Sequence, residues 1–401
     1  MSEQASYGLI GLGTMGAMLS LNIADNGFQI AVHNRTTSKI SEFIESAGPL
    51  RDKLIPCESL EDLVAALTPP RNIILMVPAG KPVDDQIAAL RPLLDESDLI
   101  IDAGNANFHD STRRAQAAKA DGVPFLGVGV SGGAEGARFG PAIMGGGDRA
   151  AWDRVAPMLK AIAAKYEGQP CATFMGDGGA GHFVKTVHNG IEYADMQLIA
   201  ETYGIMRDGF GMTPEDCGEV FTRWNDSILQ SYLIEISGKV AAATDPDTAA
   251  PMLDKILDSA GQKGTGRWTA IEAQMLGAPV TVIEAAVAAR NLSAGLTLRA
   301  KGEERFGRPD TSLTPDTLTE DDLRDALTVG KILCYAQGFD LLDKAADENG
   351  WNLPMPAIAE VWREGCIIRS SMLNDMAKAL ADAPDNLILA PYFAEIIADK
   401  L

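Results

Sequence analysis

Five short apolar runs recur through the first 130 residues of the chain: Tyr7–Ile10, Gln29–His33, Asn72–Val77, Leu99–Asp102 and Pro124–Val130. Each reads as a strand, and helical or loop segments of βαβ length separate them. That alternation predicts a parallel sheet with helices on both faces. From residue 182 onward the texture changes to Ala-, Leu-, Ile- and Glu-rich sequence of helical period, with little alternation. The expected fold is therefore an α/β N-terminal domain with a doubly wound, mostly parallel sheet, followed by a large all-α domain. The run Gly176-Asp177-Gly178-Gly179-Ala180-Gly181 is the strongest glycine punctuation. It sets the expected domains at 1–179 and 180–401.

The helical half carries a weak echo of itself. Gly209-Phe210-Gly211-Met212 before Glu219-Val220-Phe221 resembles Gly350-Trp351-Asn352-Leu353 before Glu360-Val361-Trp362 at a constant offset. A duplicated helical unit explains this, and so does chance likeness between amphipathic helices.

Composition narrows the function classes. With 401 residues, 46% hydrophobic and 22% charged, the chain suits a soluble globular protein of two or three domains. No apolar run has the length of a membrane-spanning helix, and the polar start Met1-Ser2-Glu3-Gln4 does not read as a signal peptide. Five scattered cysteines (Cys57, Cys171, Cys217, Cys334, Cys366) with no CxxC pair point to reduced thiols in the cytoplasm. Four histidines without ligand spacing make a metal site unexpected. A net charge of -21 opposes nucleic acid and anionic membranes as partners. An anionic substrate would need a local basic pocket, so clustered Lys and Arg carry information here.

Gly11-Leu12-Gly13-Thr14-Met15-Gly16 follows the first strand and opens a helix. In a βαβ unit such glycines permit a tight turn and close approach of backbone to a pyrophosphate, whose charge the helix N-terminus favours. This is the Rossmann pattern. The second strand ends in Asn34-Arg35-Thr36 rather than in the carboxylate that an NAD enzyme sets against a ribose hydroxyl. Arg35 can instead pair with a 2′-phosphate, which favours NADP. A solvated surface arginine is the plain alternative. Asp102-Ala103-Gly104-Asn105 and Ser131-Gly132-Gly133 follow later strand ends, where ligands of doubly wound sheets lie. Each is a ligand contact or a simple turn.

The segment His182–Tyr193 is the chemically richest. At about 100° per residue, Lys185, His188, Asn189, Glu192 and Tyr193 fall within an arc of about 140°. Val184, Val187, Ile191, Ala194 and Leu198 form a separate core stripe. Lys185 and Glu192 stand about 10 Å apart along the axis, room for a small substrate with proton transfer at two atoms. A solvated face is the alternative. Beyond it, Gly261-Gln262-Lys263-Gly264-Thr265-Gly266-Arg267-Trp268 and the later Arg290 gather cations and glycines, as an anion pocket would.

Taken together, Gly11–Gly16 with Asn34–Thr36, Ser131–Arg138, Gly181–Tyr193, Gly261–Trp268 and Trp362-Arg363-Glu364-Gly365-Cys366-Ile367-Ile368-Arg369-Ser370 resemble the 6-phosphogluconate dehydrogenase family of the β-hydroxyacid dehydrogenases. The resemblance runs in order through nearly the whole chain. It implies a homodimer and a decarboxylating oxidation of 6-phosphogluconate to ribulose 5-phosphate with NADP. It implies that Lys185 is the general base on the 3-hydroxyl and Glu192 the acid that protonates the enediol. It puts Ser131, Gly132 and Gly133 at the substrate carboxylate, Asn105, His188 and Asn189 along the sugar, and Tyr193, Lys263, Thr265 and Arg290 at the phosphate. Gly11 to Gly16, Asn34 to Thr36, Val77, Pro78, Ala79 and Asn105 are the implied cofactor contacts.

Two departures stand out. Pro78 occupies a place where the family often has a longer polar or basic residue. Family members commonly also continue past the position of Leu401 with a tail that enters the partner's site. Its absence here leads one to expect weak 6-phosphogluconate binding, a looser dimer and normal NADP binding. Two rival functions are a related β-hydroxyacid dehydrogenase acting on an unphosphorylated acid, and an NADP-binding protein with impaired turnover.

Overall fold

A computed structural model of the chain describes residues 4–262, 264–313, 317–382 and 384–400. Its strands and helices alternate through the first 176 residues. They are β1 (Ala5–Ile10), α1 (Thr14–Asp25), β2 (Ile30–His33), α2 (Ser38–Ser46), β3 (Leu54–Cys57), α3 (Leu60–Ala65), β4 (Leu67–Leu75), α4 (Lys81–Leu90), β5 (Leu99–Asp102), α5 (Phe108–Asp121), β6 (Phe125–Val130), α6 (Gly133–Phe139), β7 (Ile143–Gly147), α7 (Arg149–Ile162), the short hairpin β8 (Lys165–Tyr166) and β9 (Gln169–Pro170), and β10 (Ala172–Gly176). The main sheet has the order β10-β7-β6-β5-β4-β1-β2-β3. All its pairs are parallel except β6 with β7. Strands β1 to β6 thus take the 3-2-1-4-5-6 order of a dinucleotide fold, as expected.

Both faces of the sheet are buried, and the strands show why by their period of two. Leu9, Val32, Ile74 and Ile101 join one core with α1, α2 and α7. Their neighbours Ile10, Ala31, Ile73 and Ile100 join the other, with α3, α4 and α5. Burying each large side chain contributes about 1.5–3 kcal/mol.

Beside the short hairpin β8–β9, three strands of the main sheet do not show in the sequence, for separate reasons. β3 contains Pro56, which an edge strand tolerates because its outer side needs no donor. β7 reads Ile-Met-Gly-Gly-Gly and passes for a loop. A Cβ on Gly145 would lie 2.1 Å from the Trp152 ring, and one on Gly146 2.4 Å from the Gly181 nitrogen, so these glycines are demanded by packing. β10 is a short run beside it. The fourth expected strand also shifts: β4 runs Leu67–Leu75, with a register break against β1 that absorbs Pro69 and Pro70, and Val77 lies in the loop after it.

From Ala180 the chain is helical: α8 (Ala180–Gly204), α9 (Pro214–Trp224), α10 (Tyr232–Ala242), α11 (Thr265–Leu276), α12 (Thr281–Ala294), α13 (Leu296–Phe306), α14 (Glu320–Asn349), α15 (Met355–Val361), α16 (Met372–Ala381) and α17 (Pro391–Lys400). Among the described residues only isolated bridges follow β10. A long helix followed by a shorter one occurs twice, as α8 with α9 across a π-helical stretch at Ile205–Gly209, and as α14 with α15 across Gly350.

Two compact units result, Met1–Lys185 with Asn349–Cys366, and Thr186–Glu348 with Ile367–Leu401. In the first, Trp351 packs on Phe108 and Phe183. In the second, Lys331 of α14 places its ammonium 2.6 Å from both carboxylate oxygens of Asp195 of α8, in a fully buried ion pair. Tyr335 donates to the Ile368 carbonyl at 2.7 Å. All five cysteines are buried, and none is in a disulfide.

Candidate active site

The three fingerprint glycines answer three different needs. Gly11 sits at a φ of 106°, and a Cβ there would be 2.4 Å from the Met76 carbonyl oxygen. Gly16 packs so closely on the turn that a Cβ would fall 1.9 Å from the Gly11 oxygen. Gly13 meets nothing within 4 Å, which leaves its backbone open to a ligand. A tight turn, an open approach and a close helix–strand packing are what a pyrophosphate cradle requires. Asn34 completes the turn, because its Oδ1 accepts from the Leu12 N–H at 3.0 Å. Arg35 and Thr36 are exposed beside it, as are Gly13 and Thr14, with Met15 half-buried.

The next strand ends crowd around this turn. Val77, Pro78 and Ala79 follow β4, and Asn105 lies exposed after β5. The two loops touch: a Cβ on Gly104 would be 3.0 Å from the Val77 carbonyl oxygen. After β6 comes Ser131, with Gly132 at a φ of 103°. A Cβ on Gly132 would stand 2.6 Å from the Gly365 oxygen, so the segment 349–366 braces this turn from behind.

Lys185 belongs to the same unit. Its Nζ lies 2.9 Å from Ser131 Oγ, and both residues are buried. Glycines set that distance. A Cβ on Gly129 would be 2.5 Å from Lys185 Cβ, and one on Gly181 2.5 Å from the Met144 oxygen, so the start of α8 lies directly on β6 and β7. Three residues earlier, His182 is wholly buried against Gly127, with Nδ1 2.7 Å from Ser111 Oγ. Burial pushes its pKa below the ordinary imidazole value.

The later part of α8 carries the remaining polar groups. His188 is buried, and its Nδ1 lies 3.0 Å from Asn189 Oδ1 and 3.9 Å from Glu192 Oε2. Asn189 Nδ2 donates to Thr265 Oγ1 at 2.6 Å. The Arg290 guanidinium stacks 3.8 Å above the Tyr193 ring and donates to the Gly261 carbonyl at 2.8 Å. Arg290 thus joins Tyr193 to Gly261, and Thr265, at the start of α11, joins Asn189. Lys263 falls outside the described residues.

One expectation about this helix is corrected. Helical period sets the polar arc apart from the buried seam, yet Lys185, His188 and Tyr193 are buried along with Val184, Val187 and Ile191. Between Ala180 and Asp195 every residue is buried except Asn189 and Glu192, which are half-buried. Glycines on partner elements close the gaps: a Cβ on Gly266 would strike the Tyr193 ring at 2.5 Å, and one on Gly338 would strike Ile191 at 2.5 Å. Two residues without an assigned role in the sequence also matter: Gly365, which braces the Ser131–Gly133 turn, and Arg114, buried against the loops after β4 and β5. An arginine on a helix gives no sign in sequence of being buried.

The family described as NAD binding domain of 6-phosphogluconate dehydrogenase matches residues 6–176, and 6-phosphogluconate dehydrogenase, C-terminal domain, matches residues 181–401. A decarboxylating 6-phosphogluconate dehydrogenase of Schizosaccharomyces pombe is 47% identical over 395 residues, which cover 98% of this chain and 80% of that protein. Among solved structures, Plasmodium falciparum 6-phosphogluconate dehydrogenase superposes with a TM-score of 0.94 at 40% identity, covering 98% of this chain and 86% of that one. That enzyme is described in its apo form, with its cofactor NADP+ and with its substrate 6-phosphogluconate. A 3-hydroxyisobutyrate dehydrogenase of Mycobacterium tuberculosis shares the fold alone, with a TM-score of 0.55 at 20% identity over 74% of this chain and 94% of that one. A glycine turn built for a dinucleotide, and a relation that extends through both halves at nearly full length, have one common source: the chain belongs to the 6-phosphogluconate dehydrogenase family.

Proposed function

We propose that the chain oxidises 6-phosphogluconate with NADP and decarboxylates it to ribulose 5-phosphate. The observation that carries this reading is the 47% identity, over 98% of the chain, to a decarboxylating 6-phosphogluconate dehydrogenase. The open backbone at Gly13 and the absence of a carboxylate in Asn34-Arg35-Thr36 fit NADP. Its contacts in this reading are Gly11 to Gly16, Asn34 to Thr36, Val77, Pro78, Ala79 and Asn105. When bound, NADP accepts the hydride that leaves the substrate carbon.

The rest is done by side chains. Ser131 holds the Lys185 amine, which takes the proton of the 3-hydroxyl. The resulting 3-keto acid loses its carboxylate as carbon dioxide, and the electrons of the broken C–C bond pass to the carbonyl. Lys185 returns its proton to that oxygen, forming an enediol. Glu192 then protonates carbon while Lys185 takes the hydroxyl proton again, which restores a carbonyl in the product. Ser131, Gly132 and Gly133 receive the carboxylate end, Asn105, His188 and Asn189 the sugar, and Tyr193, Lys263, Thr265 and Arg290 the phosphate.

In this reading residues 1–179 are the NADP-binding domain and 180–401 the substrate and dimerisation domain, with α8–α9 and α14–α15 as its duplicated parts. The protein acts as a cytoplasmic homodimer. Buried thiols that form no disulfide suit a reducing compartment. Met275 on α11, Leu292 on α12, and Leu298 and Phe306 on α13 offer exposed apolar surface to a second copy. The test is a coupled assay of NADPH absorbance and carbon dioxide release. Equal amounts of both with 6-phosphogluconate are expected. NADPH formation with 3-hydroxyisobutyrate and none with 6-phosphogluconate would overturn the reading.

A further inference from the structure

Arg114, on α5, is buried to 4% exposure in the same unit as the glycine turn. Its fork reaches three places at once. Nη2 donates to the Gly80 carbonyl at 2.9 Å, Nε to Asp84 Oδ1 at 2.8 Å, and Nη1 lies 3.4 Å from Asp102 Oδ2. Gly80, at a φ of 82°, ends the loop that carries Val77, Pro78 and Ala79. Asp102 is completely buried and begins the loop that carries Asn105. Its other oxygen accepts from the Gly104 N–H at 3.1 Å, which fixes that loop's first turn. Asp84 sits in the first turn of α4, its carboxyl held below the ordinary carboxylate range chiefly by the hydrogen bond from Arg114. A planar guanidinium suits this task, because one rigid group satisfies acceptors in several directions.

We propose that Arg114 is a positioning residue for the cofactor: it clamps the loops after β4 and β5 together and sets their shape for the half of NADP that reacts. This rests on the functional reading above, in which those loops contact NADP. None of the three acceptors of Arg114 belongs to the Gly11–Gly16 turn or to Asn34–Thr36, so the adenosine end should be held independently of the clamp.

The experiment compares two ligands by calorimetry on the full chain, NADP and adenosine 2′,5′-bisphosphate, with turnover of 6-phosphogluconate alongside. Arg114→Lys keeps a cation beside buried Asp102 but cannot span the three acceptors. NADP affinity should fall roughly tenfold, the effect of losing one charged hydrogen bond, and kcat should fall with it. Adenosine 2′,5′-bisphosphate should bind as in the wild type. Equal losses for both ligands would show a general prop of the fold and overturn the proposal, as would unchanged NADP affinity. If Arg114→Lys does not fold, Asp84→Ala removes the half-buried partner of Nε and should weaken NADP in the same selective way. A wild-type chain that makes no NADPH from 6-phosphogluconate would instead defeat the functional reading itself.

Discussion

The two compact units hold their polar groups by different means. In the sheet unit, beside side-chain contacts such as the Arg114 fork, the placement of Lys185 and of the glycine turn rests on main chain. Lys185 stands where it does because Gly129, Gly146 and Gly181 let α8 lie on β6 and β7 with no side chain between. The cofactor turn is shaped by carbonyls at Met76 and Gly11. In the helical unit the support is side chain on side chain: Asn189 on Thr265, Arg290 on Tyr193, Lys331 on Asp195. Main-chain support leaves glycines at fixed places in the sequence. Side-chain support leaves ordinary residues whose partners lie tens of positions away.

The largest expected effect puts one residue from each unit in the balance. Lys185→Met and Glu192→Gln should each lower turnover by roughly 10²–10⁴-fold, the range for a lost acid or base. NADP affinity should survive both. Near wild-type turnover in either variant would remove that residue from the mechanism.

The next pair tests the two kinds of support directly by urea denaturation. Lys331→Met strands a buried carboxylate and should cost about 3–5 kcal/mol, and adding Asp195→Leu should recover most of it. Gly146→Ala drives a Cβ into the Gly181 backbone and should cost about 1–3 kcal/mol. An apolar change at a nearby side chain should not recover that loss, since the obstacle is main chain. Recovery in the second case, or none in the first, would erase the contrast between the units.

The smallest effect concerns a residue that neither kind of support holds. Arg35 is exposed at the end of the second strand. Arg35→Glu should weaken NADP by roughly ten- to a hundredfold, the worth of a charged hydrogen bond, and leave NAD nearly unchanged. Equal losses for both cofactors, measured by fluorescence titration, would show that Arg35 does not read the 2′-phosphate.

This contrast also decides what could be read in the sequence. The strands β1, β2, β5 and β6, the glycine turn and the helical second half follow from period and punctuation. β7 was hidden because its three glycines mimic a loop, although close packing requires them. The arc on α8 was recognised as a set of residues but its burial was not, since helical period alone cannot say how many neighbours a helix has. The contact of Arg290 with Tyr193 is a long-range fact, and only the likeness to known sequences anticipated it. Arg114 left no trace, because an i,i+1 pair of arginines on a polar-looking helix reads as surface.

The buried cysteines have a practical side. Burial raises the thiols of Cys57 and Cys217 to about 11 and pushes those of Cys171 and Cys334 upward as well. A protonated, enclosed thiol is a poor nucleophile. The folded protein therefore offers a quiet background to maleimide dyes and spin labels. A single cysteine placed at an exposed position, such as Phe139 at 75% exposure, would take up the reporter ahead of all five natural thiols. Distances and motions could then be followed by spectroscopy without stripping the native cysteines from the core.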